Sequence, residues 1–135
     1  ENVAALRKEL QNTMQNHFGV FRDGPFMQEG IRKLADLRAR IENAQLADKS
    51  MAYNTARIEA LELHNLFEVA EATAITAEAR KESRGAHARN DFDSRDDENW
   101  LCHSLYFPTD KRVGKRAVNF EPKTVDTFKP KARTY

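Results

Sequence analysis

The stretch that decides the fold is Met27-Gln28-Glu29-Gly30-Ile31-Arg32-Lys33-Leu34-Ala35-Asp36-Leu37-Arg38-Ala39-Arg40-Ile41-Glu42-Asn43-Ala44. Its apolar residues Met27, Ile31, Leu34, Leu37, Ile41 and Ala44 recur at steps of three and four, with mostly charged or small residues between them. That spacing lays one apolar stripe along an α-helix and suits packing at the shallow crossing angle of a bundle. Just upstream, Asp23-Gly24-Pro25 is a strong helix start: Asp23 can accept bonds from orphan amides, and Pro25 has no amide to leave unpaired in a first turn. The helix is expected over 26–47.

Outward from this helix, Val3, Leu6, Leu10 and Met14 repeat the same spacing and predict a helix over 2–17 that ends at Gly19. Residues 53–83 contain no proline or glycine and predict a third, longer helix with Gly85 as its stop. Its apolar residues, among them Ile58, Leu61, Leu63, Leu66, Phe67 and Val69, cover more than one narrow stripe. A helix of that kind is expected to make contacts on two sides. From Arg84 the pattern turns polar and aperiodic, so 84–99 reads as an extended loop. Alternation then returns in Trp100 to Phe107 and in Arg116 to Phe120, which predicts a β-hairpin across a polar connection containing Gly114. Pro122, Pro130 and the charges around them make 121–135 an extended tail. The fold class expected is mainly α: a three-helix up-down bundle over 1–83, with a loop, hairpin and basic tail over 84–135 packed on it as part of one domain.

The chain has 135 residues, 22 Lys+Arg against 21 Asp+Glu, and 40% hydrophobic residues. This is the profile of one compact domain, and no window approaches a membrane span. The start at Glu1 has no signal-peptide layout, and its lack of a methionine and abrupt helical start suggest an excised piece or a processed chain. Cys102 is the single cysteine, which excludes an internal disulfide and a cysteine-built zinc site. His17, His64, His87 and His103 share no metal-ligand spacing, Cys102 and His103 are strand neighbours that point apart, and no glycine-rich phosphate loop occurs. No catalytic residue or metal ligand is therefore expected. From Lys111 to Tyr135 eight basic residues face only Glu121 and Asp126. A basic tail can bind an acidic protein or nucleic acid, and a free-standing helical adaptor is one reading. No recognition helix or RNA-binding aromatic signature accompanies it, so nucleic acid is not the expected partner.

The most distinctive cluster is Glu82-Ser83-Arg84-Gly85-Ala86-His87-Ala88-Arg89, followed by Arg95-Asp96-Asp97-Glu98-Asn99-Trp100. Past a helix end, Arg84, His87 and Arg89 could present fixed cations to another surface. They could equally pair inward with Asp91 to Asp97 and pin the loop. With Leu10 to Gln15, Phe21-Arg22 and the terminal Arg133-Thr134-Tyr135, these strings resemble the C-terminal part of succinate dehydrogenase flavoprotein subunits. Fumarate reductase flavoproteins and L-aspartate oxidases are similar in the helical part.

The resemblance implies a helical domain that supports docking of a flavin domain and an iron–sulfur subunit in an enzyme that oxidises succinate to fumarate and passes electrons to quinone. The reactive motifs of that family lie upstream of this chain, so the fragment is expected to be inactive alone and to hold no cofactor, with FAD in the full-length protein. The resemblance also implies Arg84 and Arg133 as contacts to the flavin domain, with His87, Arg89, Asp96, Asp97 and Trp100 as interface candidates. It places the enzyme peripherally on the cytoplasmic side of a bacterial inner membrane, or on the matrix side in mitochondria, without membrane insertion. A homodimer of the isolated fragment through exposed apolar faces is a further expectation.

Overall fold

The computed structural model describes residues 1–44 and 49–132. Three helices touch one another pairwise: α1 (Val3–His17), α2 (Gly24–Glu42) and α3 (Thr55–Ala79). The stripe of α2 is the centre of the core, where Met27, Leu34, Leu37 and Ile41 meet Leu6 and Leu10 of α1 and Leu63 and Phe67 of α3. Ile31 and Ala44 flank this core half-buried. Asn2 and Asn54 start their helices with side-chain bonds to Ala4 N (2.8 Å) and Arg57 N (2.9 Å). These caps satisfy amides that have no partner inside the helix.

Asp23 plays a different part from the one expected. Its backbone carbonyl accepts from Met27 N at 2.9 Å, and its side chain caps nothing. The amide of Gly24 instead reaches Asp91 Oδ2 at 3.0 Å, so the first turn of α2 is capped by a residue far along the chain. A helix N-terminus carries partial positive charge, and an acid from another segment can serve it as well as a local one.

Boundaries also differ. The α2 helix closes at Asn43, whose amide bonds Ala39 O, and the expected extension through Ala47 runs into residues outside those described. The α3 helix begins after Asn54 and ends at Arg80, which has extended dihedrals of −80° and 98°. It therefore stops short of Ser83, and Gly85 lies in a separate turn.

Beyond α3 the expected open loop is tied down. Strand β1 (Phe21–Arg22), in the α1–α2 connection, pairs in parallel with β2 (Ala88–Arg89), and a helical turn α4 (Asp97–Trp100) follows. The hairpin is β3 (Cys102–Phe107) with β4 (Arg112–Ala117), in antiparallel register that sets Tyr106 against Val113. Its return strand starts four residues earlier than the 116–120 alternation suggested, because the chain reverses within 108–111, where Lys111 adopts a φ of 54°. Trp100 belongs to α4 and not to the hairpin. The hairpin is fixed to the bundle by Glu71 of α3, which is buried and accepts from Tyr106 Oη at 3.2 Å, Lys111 Nζ at 3.0 Å and Arg38 of α2.

Gly30 lets α2 approach the end of α1 closely. A methyl group there would sit 2.6 Å from His17 Cβ and 2.6 Å from the Phe18 ring. Overpacking of this kind costs about 1–3 kcal/mol. We expect Gly30→Ala to lower the denaturant midpoint accordingly; an unchanged midpoint would contradict the close approach.

Candidate functional site

Residues 80–100 and the α1–α2 turn gather at one corner of the bundle. At its centre is Glu82, with no solvent exposure. Its Oε1 accepts from Arg80 Nη1 at 2.7 Å and Arg84 Nε at 2.9 Å; its Oε2 accepts from Arg84 Nη2 at 3.1 Å and the Asp96 amide at 2.8 Å. Burial alone would raise the pKa of this carboxyl, and the bonds from Arg84, the Asp96 amide and Arg80 outweigh it, so it stays below its ordinary value. A buried carboxylate is tolerable because its lone pairs are filled.

Each sequence candidate has a definite place around this group. Arg84 also donates from Nη2 to Asp97 Oδ1 at 2.6 Å, which leaves its side chain about a quarter exposed. Gly85, at a φ of 57°, carries the chain through the tight turn that lets Arg84 and His87 exchange backbone bonds of 2.8 and 2.9 Å. Arg89 is buried and clamps Asp91 with two parallel bonds of 2.9 and 2.7 Å. Its Nη1 donates to Glu78 O in the last turn of α3 and to Arg80 O just past its end. The same Asp91 caps α2, so one ion pair joins the negative end of one helix to the positive end of another. Asp96 caps α4 through Asn99 N, and Trp100 lies beneath both Arg80, 5.1 Å from its ring centroid, and Lys115, at 3.8 Å. Arg133 lies outside the described residues.

His87 is held neutral. Its Nδ1 faces Arg22 Nη1 at 2.9 Å, and Arg22 can only donate, so the ring proton is on Nε2 and goes to Arg80 O at 3.0 Å. Burial pushes its pKa below 6.5, assisted by Arg22 and Arg89. Three participants were not singled out by sequence reasoning: Arg22, Arg80 and Glu82 as the hub. The alternation Arg80, Glu82, Arg84 was the available signal, since an acid flanked at two-residue steps by arginines can be pinned from both sides in an extended segment. Among the described residues no group of three or more His, Cys, Asp or Glu could hold a metal ion.

The corner offers cations locked into carboxylates and carbonyls rather than a nucleophile beside a base. Together with the bundle it defines a mainly helical domain with a charged corner and a small hairpin. The family described as fumarate reductase flavoprotein C-term matches residues 7–135, and the chain belongs to that family as the C-terminal domain of a succinate dehydrogenase or fumarate reductase flavoprotein subunit. It is 50% identical over 133 residues to the succinate dehydrogenase flavoprotein subunit of Coxiella burnetii, covering 98% of this chain and 22% of that protein. The mitochondrial succinate dehydrogenase flavoprotein subunit of Oryza sativa is 42% identical over 137 residues, with the same two shares. A solved variant of E. coli quinol fumarate reductase superposes with a TM-score of 0.84 at 37% identity, over 96% of this chain and 23% of that one. The chain thus spans about a fifth of the length of these relatives.

Two outcomes follow from the corner. Removing the charge of a buried carboxylate that holds two guanidinium groups costs about 3–5 kcal/mol, so Glu82→Gln should show that loss in chemical denaturation, where a change within about 0.5 kcal/mol would contradict the geometry. His87 takes up its proton more readily once unfolded, because its folded pKa is depressed from 6.5. Its contribution is complete above that value and declines as pH falls from there toward the folded pKa. Melting curves between roughly pH 7.5 and 5 should show this slope, and His87→Gln should flatten it.

Proposed function

We propose that this chain is the docking portion of a full-length flavoprotein that oxidises succinate to fumarate and passes electrons through an iron–sulfur subunit to quinone. What carries this reading is a family match over nearly the whole chain, alongside relatives of which it spans about a fifth. Three described features agree with a supporting role. The corner holds its arginines in carboxylates and carbonyls, α3 keeps a second apolar side in the open, and residues 118–132 form neither helix nor strand, with Val125 and Phe128 exposed.

FAD does not fit the described residues. Arg80, Arg84 and Arg89 are already engaged, and no glycine-rich turn fronts a helix to receive a pyrophosphate. In the proposal the flavin is therefore held upstream, and this chain is inactive by itself. Arg84 and Arg133 bear on the flavin domain, with His87, Arg89, Asp96, Asp97 and Trp100 shaping the surface around Arg84. No described helix is long and apolar enough to cross a membrane. The complete enzyme is proposed to sit peripherally, on the cytoplasmic side of a bacterial inner membrane or the matrix side of a mitochondrial one.

In the full protein Arg84→Ala should lower both retained flavin and succinate oxidation; wild-type values for both would remove Arg84 from the interface. The isolated chain should show no absorption in the flavin band at about 450 nm. A free-standing adaptor acting through the basic tail, residues 111–135, would instead bind an acidic protein or nucleic acid with steep salt dependence, whereas apolar docking is far less sensitive to salt.

A further inference from the structure

The side of α3 opposite its buried residues is mostly apolar; Glu62, four residues after Ile58, lies on it and pairs with Arg7 at 4.0 Å. Leu63, Phe67, Ala70 and Ala74 face the core, while Ile58, Leu61 and Val69 stand 55%, 60% and 66% exposed. At about 100° per residue these two sets lie on opposite sides of the helix. The outer ridge continues through Thr73 and Thr76, whose hydroxyls donate to Val69 O and Ala72 O at 2.8 and 2.6 Å. Those bonds turn their polarity back onto the helix and leave methyl groups to the outside.

The ridge ends in a cleft of about 410 Å³ lined by Thr73, Thr76, Arg22, Arg80, Arg84 and His87. Arg80 and Arg84 have carboxylate partners, as do Arg89 and Arg95 close by. Arg22 has none among the described residues. Its Nε and Nη2 donate to the carbonyls of Phe18 and Gly19, and its Nη1 to His87. A guanidinium carries five N–H groups, so one remains on each terminal nitrogen for a further acceptor. A half-buried cation whose neighbours are carbonyls and a neutral imidazole lacks a counterion.

We infer that the α3 ridge and the Arg22 cleft form a single docking face, occupied by the flavin-binding part of the full-length protein, which inserts an aspartate or glutamate at Arg22. The inference rests on the reading above and deepens it by naming the face. Two observations argue for this occupant. The relatives have more than three quarters of their length outside the span matched here, ample for a large domain. One cation without a carboxylate partner among the described residues, at the end of a mostly apolar ridge whose exposed charge is the acid Glu62, also complements a single acid among apolar side chains, which is unlike the dense negative charge of nucleic acid or an anionic lipid surface.

The test uses the full-length flavoprotein with the photo-crosslinking residue p-benzoylphenylalanine in place of Val69, Thr73 or, separately, Phe128, and maps the adducts by mass spectrometry. Val69 and Thr73 should join a segment upstream of Glu1. The Thr73 adduct should contain an Asp or Glu whose change to Ala cuts that adduct about fivefold or more. Adducts from Val69 and Thr73 only to a separate subunit or to a second copy, or none at all, would overturn the inference. If Phe128 reaches upstream sequence while Val69 and Thr73 do not, the docking face is wrong and the proposed function stands. If none of the three does, both fail.

Discussion

One buried carboxylate sets the geometry of everything after α3. Glu82 loses its hydration completely and regains it from four N–H donors that come from Arg80, Arg84 and the backbone of Asp96. In a low-dielectric setting such a group is tolerable only with every donor present, which makes the arrangement cooperative. Residues 80–97 therefore take one conformation, although the composition of that stretch is that of a loop. Arg80 extends the effect, because its Nη2 also holds Cys102 O and Ser104 Oγ at 2.7 and 3.0 Å and so aims the hairpin.

A second set of contacts couples this corner to the bundle. Arg89 and Asp91 link the carbonyl end of α3 with the amide end of α2, and the short parallel ladder brings the α1–α2 turn beside them. The same ladder delivers Arg22 to the cleft and against His87. On the other flank, Glu71 gathers Arg38, Tyr106 and Lys111, so two buried acids of one polypeptide segment fix the hairpin at both ends. Arg38 Nε is buried without a hydrogen-bond partner among the described residues, while the apolar ridge of α3 and two N–H groups of Arg22 are open to a neighbour.

The bundle was legible because its helices obey a local rule. Met27 to Ile41 carry a period that a reader of the chain can count, and of its residues Met27, Leu34, Leu37 and Ile41 are buried and Ile31 half-buried. The second apolar side of α3 was legible for the same reason, and Ile58, Leu61 and Val69 are where the period put them. The corner was legible only as a choice between outward and inward pairing of Arg84 and Arg89, and both have carboxylate partners within the chain. Contacts that join distant positions left no local trace: Asp91 capping Gly24, Ala88 beside Phe21, and Arg22 against His87. The hairpin register was missed because Val118 and Phe120 alternate as a strand would, while a tight reversal at 108–111 had already committed residues 112–117.

The chain forms a helical domain with a self-contained charged corner and a mostly apolar outer side on α3. Glu82 organises the segment from Arg80 to Asp97. Amide hydrogen exchange at Asp96, whose N–H reaches Glu82 Oε2 at 2.8 Å, tests this most directly. Protection comparable to that of amides in the middle of α3 is the predicted result, since opening there would expose a buried carboxylate. Exchange at the rate of a free loop would mean that the carboxylate does not hold the segment together.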